Sequence, residues 1–512
     1  MSEGKEKDDL NVDDFLGFVG EFGKFQKILT LIFAFMLWPY FFVYYVMYFA
    51  ALKPEWRCAA NRTACQFNGT FTHEDKYRCG ISRSDWEYVQ PKDYSIIVQY
   101  DLSCDNDWLV FLATSITFVG GVFGAVFLGW YSDNFGRKKI LYVCFFFVIL
   151  TNFLLIFMPS IASFIVFRFM TGFLVASVYP CYYVTLNETV GEKYRAIAGN
   201  TLWFLYTAAL CMMSLKSYLL DNWKYFIIAC TLPYLPFLLS YNFVPESVRW
   251  LRLKGRMYEA MKIFRRMADW NGKVLDPTVM LSPGAHAAKM TSPIDVFRNG
   301  KRMAIHTVIL IYCFYATALI YYGLSLAADN LGAGSIHLNF VLLSLVEFPA
   351  AIISAYSANR FGRLKSTAIP IFLSGVLTVI IPFIPDTSTT TRVIRVFVGI
   401  FGKFWITFCF DVIEVLVCEV YPTNIRSEAF SIMSISNWVG GASAPWVSKG
   451  LERFDIALPY YVMGIIGIVA GCLCYFLPET NGAALKEIND EVNNTSNKVD
   501  TEMANFSKDR ND

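Results

Sequence analysis

The sequence predicts an all-α membrane protein: twelve membrane-spanning helices arranged as two pseudo-symmetric six-helix bundles. Composition is the first reason, since 55% of the 512 residues are hydrophobic and only 17% charged, with 46 Phe and 29 Tyr. A soluble domain is rarely so apolar. The second is a series of twelve apolar runs, each able to cross about 30 Å of hydrocarbon, separated by polar turns. The third is a duplication. The turn Gly129-Trp130-Tyr131-Ser132-Asp133-Asn134-Phe135-Gly136-Arg137-Lys138-Lys139 returns 226 positions later as Ala355-Tyr356-Ser357-Ala358-Asn359-Arg360-Phe361-Gly362-Arg363-Leu364-Lys365.

In chain order, residues 1–26 form a charged N-terminal segment in which Phe15, Phe18, Val19, Phe22 and Phe25 recur at helical spacing. That pattern predicts an amphipathic helix on the inner membrane surface. No cleavable signal peptide is expected before the first span. The N-terminal bundle covers residues 27–244, with spans near 27–52, 108–130, 140–160, 162–186, 196–220 and 224–244. A polar loop at 53–107 interrupts it, and a Lys- and Arg-rich central loop follows at 245–302. The C-terminal bundle runs from 303 to 477, with spans near 303–326, 337–358, 367–386, 392–418, 428–450 and 456–477, before a polar tail at 478–512.

Basic residues set the orientation. Arg137, Lys138 and Lys139, then Lys193 and Arg195, then the central loop all fall on one side of an even-span chain, and that side is expected to be the cytoplasm, with both termini. The 53–107 loop then faces outward. It holds Cys58, Cys65, Cys79 and Cys104 and two glycosylation sequons, at Asn61 and Asn68. Four cysteines in such a loop suggest two disulfides, and three pairings are open. A zinc site is the weaker alternative there. The other nine cysteines lie in apolar runs and read as small buried hydrophobes.

The duplication extends beyond the turn. Arg168-Phe169-Met170-Thr171-Gly172 returns as Arg395-Val396-Phe397-Val398-Gly399, Glu188 and Arg195 as Glu419 and Arg426, and Pro245-Glu246-Ser247 as Pro478-Glu479-Thr480. The repeated Gly-x-x-x-Asp-x-x-Gly-Arg-Lys turn resembles the inner-loop signature of the major facilitator superfamily. Val12-Asp13-Asp14, Phe25-Gln26-Lys27, the cysteine-bearing loop, Pro245-Glu246-Ser247-Val248-Arg249-Trp250-Leu251 and Glu419-Val420-Tyr421-Pro422-Thr423-Asn424-Ile425-Arg426 narrow the resemblance to its organic cation, anion and zwitterion (carnitine) transporters. That resemblance implies solute carriers whose two bundles rock about a central cavity. Asp133, Gly136, Arg137 and Arg363 of the turns, with Arg168 and Arg395, form the expected gating set. Asp133 can take hydrogen bonds at a helix end and Arg137 can pair with acids on the next bundle. A purely topological, positive-inside turn is the plainer reading. Asn359 in place of Asp133 predicts a weaker latch in the second copy.

Ionisable residues inside spans are costly and are functional candidates. Glu347 lies in the eighth span at a place where the organic cation carriers have an acid, and Asp411 and Glu414 lie three apart on the tenth, hence on one face. Each also suits an internal ion pair. Lys403 and Arg395 share the tenth span but are too far along the axis to touch Asp411. Most aromatics are packing; by resemblance, Tyr44, Tyr179, Phe314 and Tyr321 line the cavity, where ring faces attract cations. Trp438 replaces the charged residue, Asp in cation carriers and Arg in anion and carnitine carriers, expected before Gly440-Gly441. Ala351 replaces the anion carriers' basic residue.

These residues favour a plasma-membrane secondary transporter of small organic solutes, cations or zwitterions first. Lys403 keeps an anion carrier open, and the neutral Trp438 keeps open a receptor that has lost transport. No enzyme is expected, because the four histidines have no metal spacing and no Gly-x-Ser-x-Gly, Walker or His-Glu-x-x-His motif occurs. No cofactor, metal or nucleic-acid partner is expected; a net charge of +2 points to none. A bilayer and a small solute are the expected partners.

Overall fold

In a computed structural model, residues 12–59, 65, 75–276, 281, 295–298, 300–327, 335–385, 387–421 and 425–480 are described. A backbone inside hydrocarbon must satisfy its own polar groups, so each apolar run coils into a helix. Spans one to six are Lys24–Ala50, Trp108–Phe135, Arg137–Leu155, Ile161–Thr189, Arg195–Leu219, and Trp223–Thr231 continued as a tighter helix to Asn242. Spans seven to twelve are Lys301–Leu326, Ile336–Leu345 with Glu347–Phe361, Arg363–Ile380, Thr389–Val420, Arg426–Pro445 and Leu458–Cys474. Ten of the helices among the described residues are long and apolar enough to cross a membrane by length and composition. The eleventh span is rich in Ser and Gly, and the twelfth has 17 residues.

The eleventh span spends its apolarity on close packing. A Cβ on Gly440 would lie 2.5 Å from the carbonyl of Tyr315, and one on Gly441 would lie 2.4 Å from the Phe118 ring. Only glycine lets the seventh and second spans approach so near. Large side chains on the outer faces, such as Phe127, Phe157 and Phe383, are 60–70% exposed, the pattern of a lipid-facing surface.

The duplication is visible in the helix ends. Ser160 caps the fourth span through Ser163, and Ser388 caps the tenth through Thr391, each by a reciprocal pair of hydrogen bonds. Gly136 and Gly362 take positive φ, 104° and 96°, where the second span turns into the third and the eighth into the ninth. A side chain there would be strained.

The cysteine loop is a small unit of its own. Strands Trp56–Cys58 and Trp86–Tyr88 pair antiparallel, with Trp56 opposite Tyr88. Cys58 pairs with Cys65 and Cys79 with Cys104, which selects one of the three possible pairings and removes the zinc alternative. Arg83 lies over the Trp86 ring at 4.0 Å and pairs with Asp101 at 3.0 Å. Asn61 and Asn68 lie outside the described residues.

Helix Val12–Val19 buries Val12, Phe15, Leu16 and Val19, with Phe15 stacked on Phe264 of helix Met257–Asn271 at 5.0 Å. Asn271 ties the two further, donating to the carbonyl of Val19 and accepting from the amide of Phe25 at 2.8 and 3.0 Å. Asp13 bridges Arg195 and Arg249. Of the apolar stripe, Phe15 and Val19 pack inward, Phe22 stacks on Tyr194, Phe25 meets Phe243, and Phe18 stays 51% exposed.

Candidate functional site

Where the halves meet at mid-span, rings from both sides interlock. Tyr44 of the first span lies 5.6 Å from Phe118, 6.4 Å from Tyr322 and 5.7 Å from Trp438, and Phe118 lies 4.9 Å from Tyr322. A second row joins Tyr40, Tyr179 and Trp203, with Tyr40 stacked on Tyr179 at 5.9 Å and Tyr179 6.0 Å from Trp203. Of the aromatics expected in the cavity, Tyr44, Tyr179, Tyr321 and Trp438 are in this seam. Phe314 is buried and, among the described residues, stacks on no other ring. Tyr40, Phe118, Trp203, Tyr206 and Tyr322 were not singled out in the sequence, because a Phe- and Tyr-rich span carries no signal for which rings face inward.

The charges separate into two groups. Tyr206 and Tyr321 share a hydroxyl–hydroxyl bond of 2.7 Å across the seam, and the Tyr321 hydroxyl donates to Glu347 Oε1 at 2.7 Å. Lys403 Nζ lies 3.3 Å from the same carboxylate, donates to Ser325 Oγ at 3.0 Å, and sits 3.0 Å from the centre of the Tyr321 ring. Side chains of Lys403 and Glu347 are 1% and 6% exposed. Glu347 is therefore the internal ion pair weighed against its role as a ligand: its charge is answered by Lys403, which equally removes Lys403 as a free anion site. Asp411 is different. Its Oδ2 accepts from Ser354 Oγ at 2.9 Å, and neither Asp411 nor Glu414 has a cationic partner among the described residues. Both are half-buried. Each carboxylate costs about 3 kcal/mol at bilayer depth, and both carboxylates and aromatic ring faces attract cations.

The repeated turns build matching clusters at the other end. Glu246 Oε1 accepts from the amides of Arg137 and Lys138 at 2.9 and 3.1 Å, at the start of the third span, where helix N–H groups favour an anion. Arg137 Nη1 pairs with Glu188 at 2.5 Å, and Glu188 also binds Ser247. In the second copy Glu479 Oε1 accepts from the amide of Arg363 at 2.8 Å, Arg363 Nε reaches Glu419 at 3.2 Å, and Thr480 donates to Glu419 at 2.5 Å. A Cβ on Gly136 or Gly362 would lie 2.5 or 2.4 Å from a carboxylate oxygen of Glu246 or Glu479. Arg137 thus pairs with an acid of its own half, not of the next bundle. The side chain of Asp133 is outside the described residues, whereas Asn359 Oδ1 accepts from Arg363 at 2.9 Å. Arg168 and Arg395 stand near the opposite end. Arg168 is fully buried and donates to the carbonyls of Ala113 and Val43 at 3.3 and 3.1 Å.

Contacts between halves gather at the end bearing the cysteine loop. Ser115 Oγ donates to the carbonyl of Ala442 at 2.6 Å, Ser214 Oγ to that of His337 at 3.0 Å, Lys53 pairs with Glu452 at 3.7 Å, and Arg453 pairs with Asp107. The clusters at the turn end lie each within one half. The rings therefore form a floor closed toward the loop end.

Residues 63–492 match the sugar (and other) transporter family. Solute carrier family 22 member 2 of Rattus norvegicus is 32% identical over 422 residues, covering 81% of this chain and 74% of that one. Solute carrier family 22 member 3 of Mus musculus is 31% identical over 409 residues, 80% of this chain and 73% of that one. Solute carrier family 22 member 1 of Bos taurus is 29% identical over 539 residues, covering 96% and 94%. Among solved structures, the inward open xylose transporter XylE from E. coli superposes with TM-score 0.63 at 13% identity over 91% of this chain and 99% of that one. Its partially occluded inward open form gives 0.62 at 16% identity over 90% and 100%. At such identity the likeness establishes the fold.

Proposed function

The chain belongs to the sugar (and other) transporter family and, within it, to solute carrier family 22, and from that premise we propose that this secondary transporter of small organic solutes prefers organic cations. The observation that carries the preference is the charge pattern of the seam: Glu347 is neutralised by Lys403, while Asp411 and Glu414 stand without a cation, among the described residues, near enough to Tyr179 and Tyr40 for their charges to act on those rings. A flat or quaternary ammonium entering there meets two carboxylates and several ring faces, each ring worth roughly 0.5 to 2 kcal/mol. An anion would meet only negative charge.

In this reading the protein works by alternating access in the plasma membrane, with its turns and both termini in the cytoplasm and the cysteine loop outside, glycosylated at Asn61 and Asn68. The bundles of residues 27–244 and 303–477 rock as units. Gly136, Arg137 and Arg363, with Glu188, Glu246, Glu419 and Glu479, hold each half's turn as one piece through the cycle; Asp133 belongs with them. Arg168 braces the loop-side half of the fourth span through the carbonyls of Ala113 and Val43, and Arg395 takes the matching position in the tenth.

Uptake of labelled organic cations, anions and carnitine by cells expressing the chain tests the assignment. Asp411→Asn with Glu414→Gln is expected to lower cation uptake at least tenfold at equal surface expression. Uptake of anions alone, or cation uptake unchanged by the double substitution, overturns it.

A further inference from the structure

At the end bearing the cysteine loop a cavity of about 230 Å³ opens between the first, fifth, sixth and eighth spans, and Asp411 is not among its walls. Its walls include Phe49, Tyr94, Tyr218, Asp221, Trp223 and His337. Five of these are aromatic. The His337 ring lies flat on Phe49 with centroids 5.3 Å apart, and Tyr218 meets it edge-on at 5.7 Å. The Trp223 indole N–H is already used by Gln99 at 3.0 Å. Tyr218, 65% exposed, and the half-buried Tyr94 present their rings to this space, and the buried Phe49 and Trp223 back it.

Charge at the mouth is uncompensated. Lys224, three residues beyond Asp221, is held at 2.6 Å by Asp93, and among the described residues no cation reaches the exposed Asp221 carboxylate. Asp221 is felt inside: burial, then the Asp221 charge, pushes the Tyr94 phenol above its ordinary value. The buried His337 Nδ1 has no hydrogen-bond partner among the described residues.

We propose that this cavity binds a small aromatic or quaternary ammonium cation as a site separate from the Asp411–Glu414 seam. Aromatic faces plus one carboxylate are the chemistry that recognises such an ion, and the volume suits a single ring with its ammonium rather than a drug-sized ligand. Location adds a consequence. His337 belongs to the C-terminal half and Phe49 and Tyr218 to the N-terminal half, and the carbonyl of His337 is where Ser214 fastens the halves together. An occupant touching both sides is bound more tightly when that end is closed, so it stabilises the closed state and slows the cycle without competing at the seam. With the orientation proposed above, it would act from outside the cell.

The test is equilibrium binding of labelled phenyltrimethylammonium to the purified full chain, in the wild type, Asp221→Asn, and Asp411→Asn with Glu414→Gln. Asp221 is exposed, so its substitution leaves the core intact. The expected result is two classes of site in the wild type, with Asp221→Asn weakening one at least tenfold and the Asp411 and Glu414 substitutions weakening only the other. A class lost with Asp221→Asn supports the cavity even if the seam binds no cation, which separates this site from the preceding proposal. Binding unchanged by Asp221→Asn, or a single class lost only with Asp411→Asn and Glu414→Gln, overturns it.

Discussion

Glu347→Gln separates the two roles open to an acid in a span. Its carboxylate is 3.3 Å from Lys403 Nζ, and both side chains are under a tenth exposed. Removing one partner of a buried pair leaves the other uncompensated and costs about 3 to 5 kcal/mol, whereas replacing both by apolar or neutral side chains is often close to neutral. Lys403 would retain Ser325 Oγ at 3.0 Å and the Tyr321 ring, which places the single substitution near the lower bound, about 3 kcal/mol. Lys403→Met alone should cost a similar amount, because it strands Glu347 with only the Tyr321 hydroxyl. The double variant should recover most of the loss, giving a coupling of about 2 kcal/mol or more in a double-mutant cycle. Thermal unfolding of the four purified proteins in one detergent measures this, alongside cation uptake per surface molecule. Additive losses would refute the ion-pair assignment. So would a Glu347→Gln protein that is fully stable yet binds cations poorly, since that is the behaviour of a free ligand acid.

Three further expectations follow from the packing. Gly121→Leu drives a side chain into Trp438, whose ring already lies 2.3 Å from a Cβ at that position; it should hold the loop end open, raising the labelling of an engineered Ser115→Cys by an impermeant thiol reagent, and unchanged labelling counts against the seam as a closing surface. Gly362→Ala imposes a strained φ and a clash with Glu479, costing about 1 to 3 kcal/mol, and transport should fall while the same substitution at Gly129, which has open space, has little effect. Phe15→Ala removes a fully buried ring stacked on Phe264; a core Phe→Ala costs about 3 to 5 kcal/mol, so the helix Val12–Val19 should become readily cleaved by protease, and resistance equal to wild type would mean that lipid, not Phe264, covers it.

Much of the site was legible in parts and illegible in pairing. Glu246, Glu479, Glu188 and Glu419 were visible as landmarks of the duplication, and only their positions against the third and ninth helix starts reveal why the duplication keeps them. Asp411 and Glu414 were legible as one helical face, since that depends on spacing along a single helix. Their neighbour Glu347 was not separable from them, because its partner Lys403 lies 56 positions away on another span. The Tyr206–Tyr321 bond, which joins the halves, left no trace in spans crowded with aromatic residues.

The amino-acid sequence by itself determined the number of spans, their division into two related halves, and the repeated turns that join them. These follow from the length of apolar runs and the demand that a backbone in lipid bond to itself, both properties of neighbours in the chain. Tertiary structure alone decided which acid is answered by a lysine, which end is closed, and what packs on the N-terminal helix. Such outcomes depend on the angle and depth at which one helix meets another. A difference of a few ångströms there decides whether a carboxylate reaches a lysine, and no single helix carries that distance in its sequence.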